Sequence, residues 1–222
     1  MFKKLVAPIL GFLTITTFAA AAPSVKQNPF AGSYLGAGLG LSNQFYRLKI
    51  YNAGALELDE DMGTYGAAFQ VMGGYNFALS RQWLLGIEAN AEYDTNDQKV
   101  TINGTPSGSG RTKINWQLGA SVKLGYTLKN NINMFYALLG PQWGHFRHTY
   151  DRNNVQINNV SQYQFGFKVG LGASQMLSHN IDISEEVDYS NLQGDKVTAD
   201  SVETKFKPQI VTALVALHYH FH

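Results

Sequence analysis

Cysteine is absent from this 222-residue chain. Its absence excludes disulfides and thiol catalysis, and it fits export to an oxidising compartment. Charge is also scarce. Charged residues make up 15 % of the chain, against about a quarter in ordinary soluble domains. The formal net charge of +1 offers no bulk attraction to nucleic acid. Beyond the N-terminus no apolar run is long enough to be a membrane helix. Glycine, with 22 residues, and aromatics, at 13 %, are what the chain has in quantity.

The first stretch, MFKKLVAPILGFLTITTFAAAAPS, has a basic start at Lys3 and Lys4, an apolar core from Leu5 to Phe18, and small residues from Ala19 to Ala22. This is the anatomy of a secretory signal peptide, too short and wrongly flanked for a membrane anchor. The expected organisation is a signal peptide over 1–21 and one domain over 22–222. Without Lys3 and Lys4 the net charge is −1.

The rest of the chain alternates. From Val211 every second residue is apolar: Val211, Ala213, Val215, Leu217, Tyr219 and Phe221. Trp83, Leu85, Ile87, Ala89, Ala91 and Tyr93 repeat the pattern against Gly86, Glu88, Asn90 and Glu92. So do Ile114 to Leu128, and Tyr163 to Ala173. A period of two is a strand with two unlike faces. Eight such segments are expected, at 33–46, 64–79, 83–95, 112–128, 132–148, 161–177, 181–191 and 205–221. Three connections are tight (80–82, 129–131, 178–180), and four are long and polar (47–63, 96–111, 149–160, 192–204).

An even number of strands with short turns at one end and long loops at the other is the transmembrane β-barrel pattern. Each segment exceeds the ~9–11 residues a tilted strand needs to cross the hydrocarbon. The fold expected is therefore all-β, an eight-stranded antiparallel up-and-down transmembrane barrel with four extracellular loops. A soluble β-sandwich or lipocalin-like barrel also alternates. Here the polar face holds too much Gly, Gln, Lys and Glu for a dry core. The apolar face carries aromatics at both ends: Tyr75, Phe77, Trp83, Tyr126 and Tyr219 by the tight turns, and Tyr93, Trp116, Trp143, Tyr163 and Tyr189 toward the loops. These read as two interfacial girdles.

GYNFALSRQWLLGIEAN, from Gly74 to Asn90, and FGFKVGLGASQMLSHNIDISEEVDYSNL, from Phe165 to Leu192, resemble hairpins of the Gram-negative outer-membrane β-barrel family. That family includes opacity-type surface antigens and the OmpA-like barrel domain. With ALVALHYHF at the end, the resemblance covers nearly all of the mature chain. It implies an outer-membrane location, outer-membrane lipid and lipopolysaccharide as surroundings, and the roles of adhesin, immune-evasion protein or narrow pore. The chain stops at the last strand, so the tether role of members with a peptidoglycan-binding domain is not expected. A final strand with Tyr219 and Phe221 resembles the signal read by the outer-membrane assembly machinery, with His222 as a small departure.

Inward positions carry charge: Glu88, Glu92, Lys123, Lys168, Asp182, Glu186 and Asp188. In so narrow a barrel they are expected to pair. The favoured reading is a structural ion-pair plug. The alternative is a gate in which Glu88 exchanges between Lys123 and Lys168. Glu185 falls on the apolar face, so a bulge is expected to turn it inward, or it marks a contact between barrels. His218, His220 and His222 are read as interfacial, because one ion cannot take ligands spread over about 13 Å of strand. His145 and His148 lie near Trp143 at the loop end. DYSN (Asp188, Ser190, Asn191) places Asp where the His-x-Ser-Asn element of lipid A deacylases has its base, so no enzyme, cofactor or metal is expected. ELDED (Glu57 to Asp61) reads as a solvated acidic loop, with a divalent cation as the sharper alternative. The Asn-rich DRNNVQINN and the Gly/Ser-rich NGTPSGSG read as loop tips. Recognition of host surface or matrix molecules, if any, belongs to the loops.

Overall fold

The computed structural model describes residues 28–52, 55–102, 108–129, 132–152, 155–199 and 202–221. Residues 1–27, with the signal peptide expected over 1–21, and His222 lie outside them. The described chain is all strand and turn: β1 (Gly32–Asn52), β2 (Ala55–Ala78), β3 (Trp83–Asp94), β4 (Asp97–Ile102), β5 (Gly108–Thr127), β6 (Asn133–Arg152), β7 (Val155–Met176), β8 (Ile181–Leu192), β9 (Asp195–Ala199) and β10 (Val202–Phe221). β3 with β4 and β8 with β9 are single staves broken at Thr95–Asn96 and Gln193–Gly194. The barrel therefore has eight antiparallel staves. β1 and β10 close it, in register from Ser33–Phe221 to Asn52–Val202. The end of the chain is held by this ladder, and no backbone edge faces lipid.

Inward and outward residues alternate without interruption along β3. Outward positions are mostly Leu, Val, Ile, Phe, Tyr and Trp left exposed on the wall, among them Leu39, Phe69, Ile87, Val122, Leu139 and Leu171. From Phe135 to His145 the wall rises about 26 Å, at ~3.4 Å per residue and ~40° tilt, close to the ~25 Å apolar band of a membrane barrel. Girdle rings pack on one another. Trp83 meets Tyr126 at 5.0 Å, Tyr75 meets Phe77 at 4.6 Å, and Tyr219 meets Phe221 at 5.0 Å. At the far end Trp116, Trp143 and Tyr163 do the same with His145 and Phe165.

The four long loops are a correction. The strands run to 20–24 residues, so most of 47–63, 96–111, 149–160 and 192–204 is strand. Past His145, β6 continues about 18 Å beyond the membrane by the same rise and tilt. ELDED is likewise part of β2 and not a loop. Its register sets Asp61 opposite Arg47 and Asp59 opposite Lys49; the side chains of Glu57, Asp59, Glu60 and Asp61 are outside the described set. In DRNNVQINN, 151–152 and 155–159 are strand, and in NGTPSGSG 108–110 are strand; 153–154 and 103–107 lie outside the described residues. Outside lipid both strand faces are wet. The hydrophobic alternation that marks a strand in sequence is therefore lost while the backbone ladder persists.

Above the membrane the wall divides. The β2–β3 ladder ends at Ala68–Asp94 and the β7–β8 ladder at Gly166–Leu192. Beyond these points, among the described residues, β4 pairs with β5 and β9 with β10. Two four-stranded arms result, β2–β1–β10–β9 and β4–β5–β6–β7. At one split Thr95 N donates to Ala67 O (2.9 Å), and the Asn96 side chain reaches Ser42 Oγ on β1 (3.0 Å).

Candidate functional site

The lumen is layered. At the tight-turn end, the residues before β1 fold back into the barrel mouth. Asn28 Nδ2 donates to Thr127 Oγ1 (2.9 Å), Asn76 Nδ2 donates to Phe30 O (2.8 Å), and Phe30 is fully buried. Phe30 packs with Leu84, Met134, Tyr136, Leu138 and Met176 as an apolar stopper. At the other end Ile114, Phe146, Leu192 and Ile210, all fully buried, form a second apolar layer. Phe146 and Leu192 meet over Gly144. Between the two layers most inward residues are polar, charged, glycine or a tyrosine with a bonded hydroxyl, with Met72, Leu214 and Ala216 as buried apolar exceptions.

The charges read from sequence are brought together there. Lys123 Nζ makes a close ion pair with Glu88 Oε2, and their side chains are 6 % and 1 % exposed. Tyr34 Oη donates to Glu88 Oε2 (2.6 Å) and accepts from Lys123 Nζ (3.2 Å). The ammonium lies 4.5 Å from the Tyr136 ring centre, and Tyr136 Oη donates to Glu186 Oε2 (2.9 Å). Lys168 Nζ donates to Asn90 Oδ1 (3.3 Å). One layer higher, Gln117 Nε2 bonds both Glu92 (3.0 Å) and Asp94 (2.7 Å), and Gln70 Nε2 donates to Glu92 (3.2 Å). Amide donors thus stand between like charges that would otherwise repel. Inward glycines make room for the rings. A Cβ on Gly172 would sit 2.3 Å from Tyr136 Cζ, and one on Gly74 2.8 Å from Tyr34 Oη.

Asp94, Tyr34, Tyr136 and the Phe30 stopper were not singled out from sequence. The tyrosines look like girdle aromatics until their parity is known. The stopper lies before the first alternating residue, so no periodicity marks it.

Two sequence expectations are corrected. His218 and His220 are not interfacial but inward and buried. Asp182 accepts from both, His218 Nδ1 at 2.9 Å and His220 Nε2 at 2.5 Å. Their parity opposes that of Tyr219 and Phe221, so the strand that puts those rings in lipid puts the histidines in the lumen. Among the described residues no group of three or more His, Asp or Glu is arranged to hold a metal ion. Glu185 sits in no bulge. The register of β8 is unbroken on both sides, with Glu185 facing Val215 and Ala173. Keeping every backbone group paired in lipid outweighs one misplaced carboxylate. Bulges lie elsewhere, at Ile50/Tyr51, Ile114/Trp116 and Tyr150/Asp151. The His148 side chain is outside the described set.

Outside the hydrocarbon, Arg111 Nε donates to Asp97 Oδ1 at 2.6 Å. That hydrogen bond and the guanidinium charge hold the Asp97 carboxyl below the usual carboxylate range.

Comparison with known proteins agrees with this architecture. The family model described as outer membrane protein beta-barrel domain matches residues 10–218. A 22 kDa outer membrane protein of Rhizobium leguminosarum bv. viciae is 28 % identical over 183 residues, which is 82 % of this chain and 74 % of that one. Two solved structures share the fold. The outer membrane protein OprG from Pseudomonas aeruginosa is 16 % identical, covers 86 % of this chain and 97 % of its own, and has a TM-score of 0.51. The outer membrane protease OmpT from Escherichia coli is 8 % identical, covers 90 % of this chain and 100 % of its own, and has a TM-score of 0.52. A closed wall with an apolar belt, a polar interior and a family match over almost its whole length place this protein in the outer membrane, as a member of the outer membrane protein β-barrel domain family.

Proposed function

We propose that the protein is a non-conducting surface barrel whose activity resides in the two arms above the membrane, as an adhesion-type protein. The observation that carries this reading is the double seal of the lumen. An ion crossing the barrel would have to part the Phe30 stopper, break the Glu88–Lys123 pair and pass between Phe146 and Leu192. Each step strips water from the ion or unpairs a buried charge. The lumen then serves as a core that holds the staves, and recognition falls to what stands outside. Above the splits, β2, β4, β7 and β9 each carry an edge with no strand partner among the described residues. Such edges offer backbone donors and acceptors to an extended segment of a host surface or matrix protein.

No catalytic role is assigned. Asp188 and Ser190 both turn into the sealed lumen, away from any lipid substrate at the wall. Transport through a narrow pore is the competing reading, and the charged column of Glu88, Lys123 and Lys168 is its support.

Single-channel recording of the refolded protein separates the two. A silent bilayer, with folding verified by a heat-modifiable gel shift, supports the sealed barrel. A reproducible conductance step overturns it. Shortening the β1–β2 and β6–β7 hairpins down to the membrane should abolish binding to host cells or matrix and leave folding intact. Binding that survives the truncation refutes the adhesion role.

A further inference from the structure

Gly36 stands between His218 and Met72. It is the register partner of His218 on β10 and of Met72 on β2. All three positions face the lumen, and the missing side chain at Gly36 lets its two neighbours meet over it. A Cβ there would lie 2.2 Å from His218 Cδ2 and 3.0 Å from Nε2. His218 Nε2 comes to 3.1 Å from Met72 Sδ, and both side chains are buried. Neither the ion pairs of the lumen nor its apolar seal accounts for this contact.

The chemistry of the contact is set on the far side of the imidazole. His218 Nδ1 lies 2.9 Å from Asp182 Oδ1, and His220 Nε2 lies 2.5 Å from Asp182 Oδ2. A carboxylate only accepts, so both nitrogens carry hydrogen. In neutral His218 that leaves Nε2 with a lone pair, and a thioether sulfur has only lone pairs to offer. Two acceptors thus face each other with no hydrogen between them, and a cation resolves the contact. With both imidazoles neutral, Asp182 gives the group one negative charge. The Glu88–Lys123 pair on the other side of Tyr34 is balanced within itself. One positive charge therefore makes the buried group neutral, and two would leave a charge uncompensated. Thioether and imidazole together suit Cu(I). A closed-shell monovalent ion is satisfied by two ligands, so no third His, Asp or Glu is needed, and the flexible methionine side chain has the freedom to make room. A carboxylate on the other ring nitrogen is the usual outer support of a metal-ligating histidine, because it fixes tautomer and orientation. The Tyr34 ring packs edge-on against His218 at 5.4 Å, and Phe30 meets His220 at 6.1 Å on the side of the mouth.

We propose that His218 Nε2 and Met72 Sδ form a binding site for one soft monovalent metal ion, Cu(I), at the tight-turn end of the lumen, with Asp182 as the positioning residue that sets the His218 tautomer. The ion comes from the tight-turn side, before the Phe30 segment docks or when it leaves the mouth. This site is independent of whether the lumen conducts and of what the arms bind.

The test is metal binding by the full-length barrel, refolded in neutral detergent with Cu(I) in the absence of oxygen and then titrated with a Cu(I) chelator. Wild type should hold one equivalent. Met72→Leu is a volume-conserving exchange that leaves the barrel able to fold, and it should hold none. His218→Gln should also hold none. Asp182→Asn should bind about 10–100-fold more weakly, as loss of the group that orients a ligating histidine does. Met62→Leu, ten residues further up β2 where it pairs with Tyr46, and His145→Gln at the opposite girdle should bind as wild type does. X-ray absorption at the copper edge should show one sulfur and one nitrogen neighbour, with the sulfur gone in Met72→Leu. If His218→Gln or Asp182→Asn does not fold, the Met72→Leu measurement decides. A wild-type barrel that holds no copper overturns the proposal, and so does binding by Met72→Leu within about twofold of wild type. Displacement of Cu(I) by an equal concentration of Zn(II) also overturns it, because the group would then be a divalent site.

Discussion

Replacing Lys123 by methionine tests whether the lumen acts as a core. The substitution keeps the length of the side chain and its contact with the Tyr136 ring and removes the ammonium. Glu88 would then keep only the Tyr34 hydroxyl as donor, in a site where its side chain is 1 % exposed. The next cation, Lys168, is bonded to Asn90. Removing one partner of a buried pair costs about 3–5 kcal/mol, because the other charge is left uncompensated. Against a domain stability of about 5–15 kcal/mol that is a large fraction. Removing both charges is different. Glu88→Gln/Lys123→Met leaves an amide that still accepts from Tyr34, and it should fall within about 1–2 kcal/mol of wild type. The assay is urea unfolding in lipid vesicles, followed by emission of Trp83, Trp116 and Trp143 and by gel shift, with a double-mutant cycle across the pair. A loss below about 1 kcal/mol for Lys123→Met alone would refute the reasoning, since the pair would then be wetted and the lumen not sealed.

The seal makes a second prediction. Phe30→Ala should cost about 3–5 kcal/mol as a buried aromatic truncation yet leave bilayers silent, because the Phe146 layer remains. Phe30→Ala with Phe146→Ala should give conductance steps, and silence of the double variant would locate the barrier in the charged middle layer. Glu185→Leu replaces a carboxylate on the lipid-facing wall and should raise unfolding stability by about 1–2 kcal/mol, less than the cost of Arg or Lys at the midplane; a loss of stability would mean the carboxylate has a partner in the membrane. The folded Asp97 carboxyl lies below its unfolded value, so its contribution is present above about pH 4 and fades as pH falls through the folded value. Being an exposed pair, it contributes at most about 0.2–1 kcal/mol, and an acid titration of Asp97→Asn against wild type should show that difference vanish at low pH. Phe221→Ala, which removes the ring packed on Tyr219, should lower the fraction assembled into the outer membrane in cells and leave refolding in vitro nearly unchanged; equal assembly would exclude a signalling role for the last strand.

Within the membrane the sequence settled more than its secondary structure. Lipid on one side and a narrow polar interior on the other impose strict alternation, so parity alone assigned Glu88, Glu92, Lys123, Lys168 and Glu186 to the inside and Trp83, Tyr126, Trp116, Trp143 and Tyr163 to the outside. Parity says which way a side chain points and nothing about whom it meets. That Lys123 pairs with Glu88 and Tyr34, that Gln117 stands between Glu92 and Asp94, and that Asp182 takes both His218 and His220 follow from the shear of the closed barrel, which brings together residues far apart in sequence, such as His218 and Met72 or Tyr34 and His220. Beyond the membrane the pattern failed because its cause is missing. With water on both faces nothing enforces alternation, and the long arms are held by backbone pairing that any side chain permits. The Phe30 stopper and the Phe146 layer were equally hidden. An apolar residue in a polar lumen is recognised only when the opposite wall is in place to bury it.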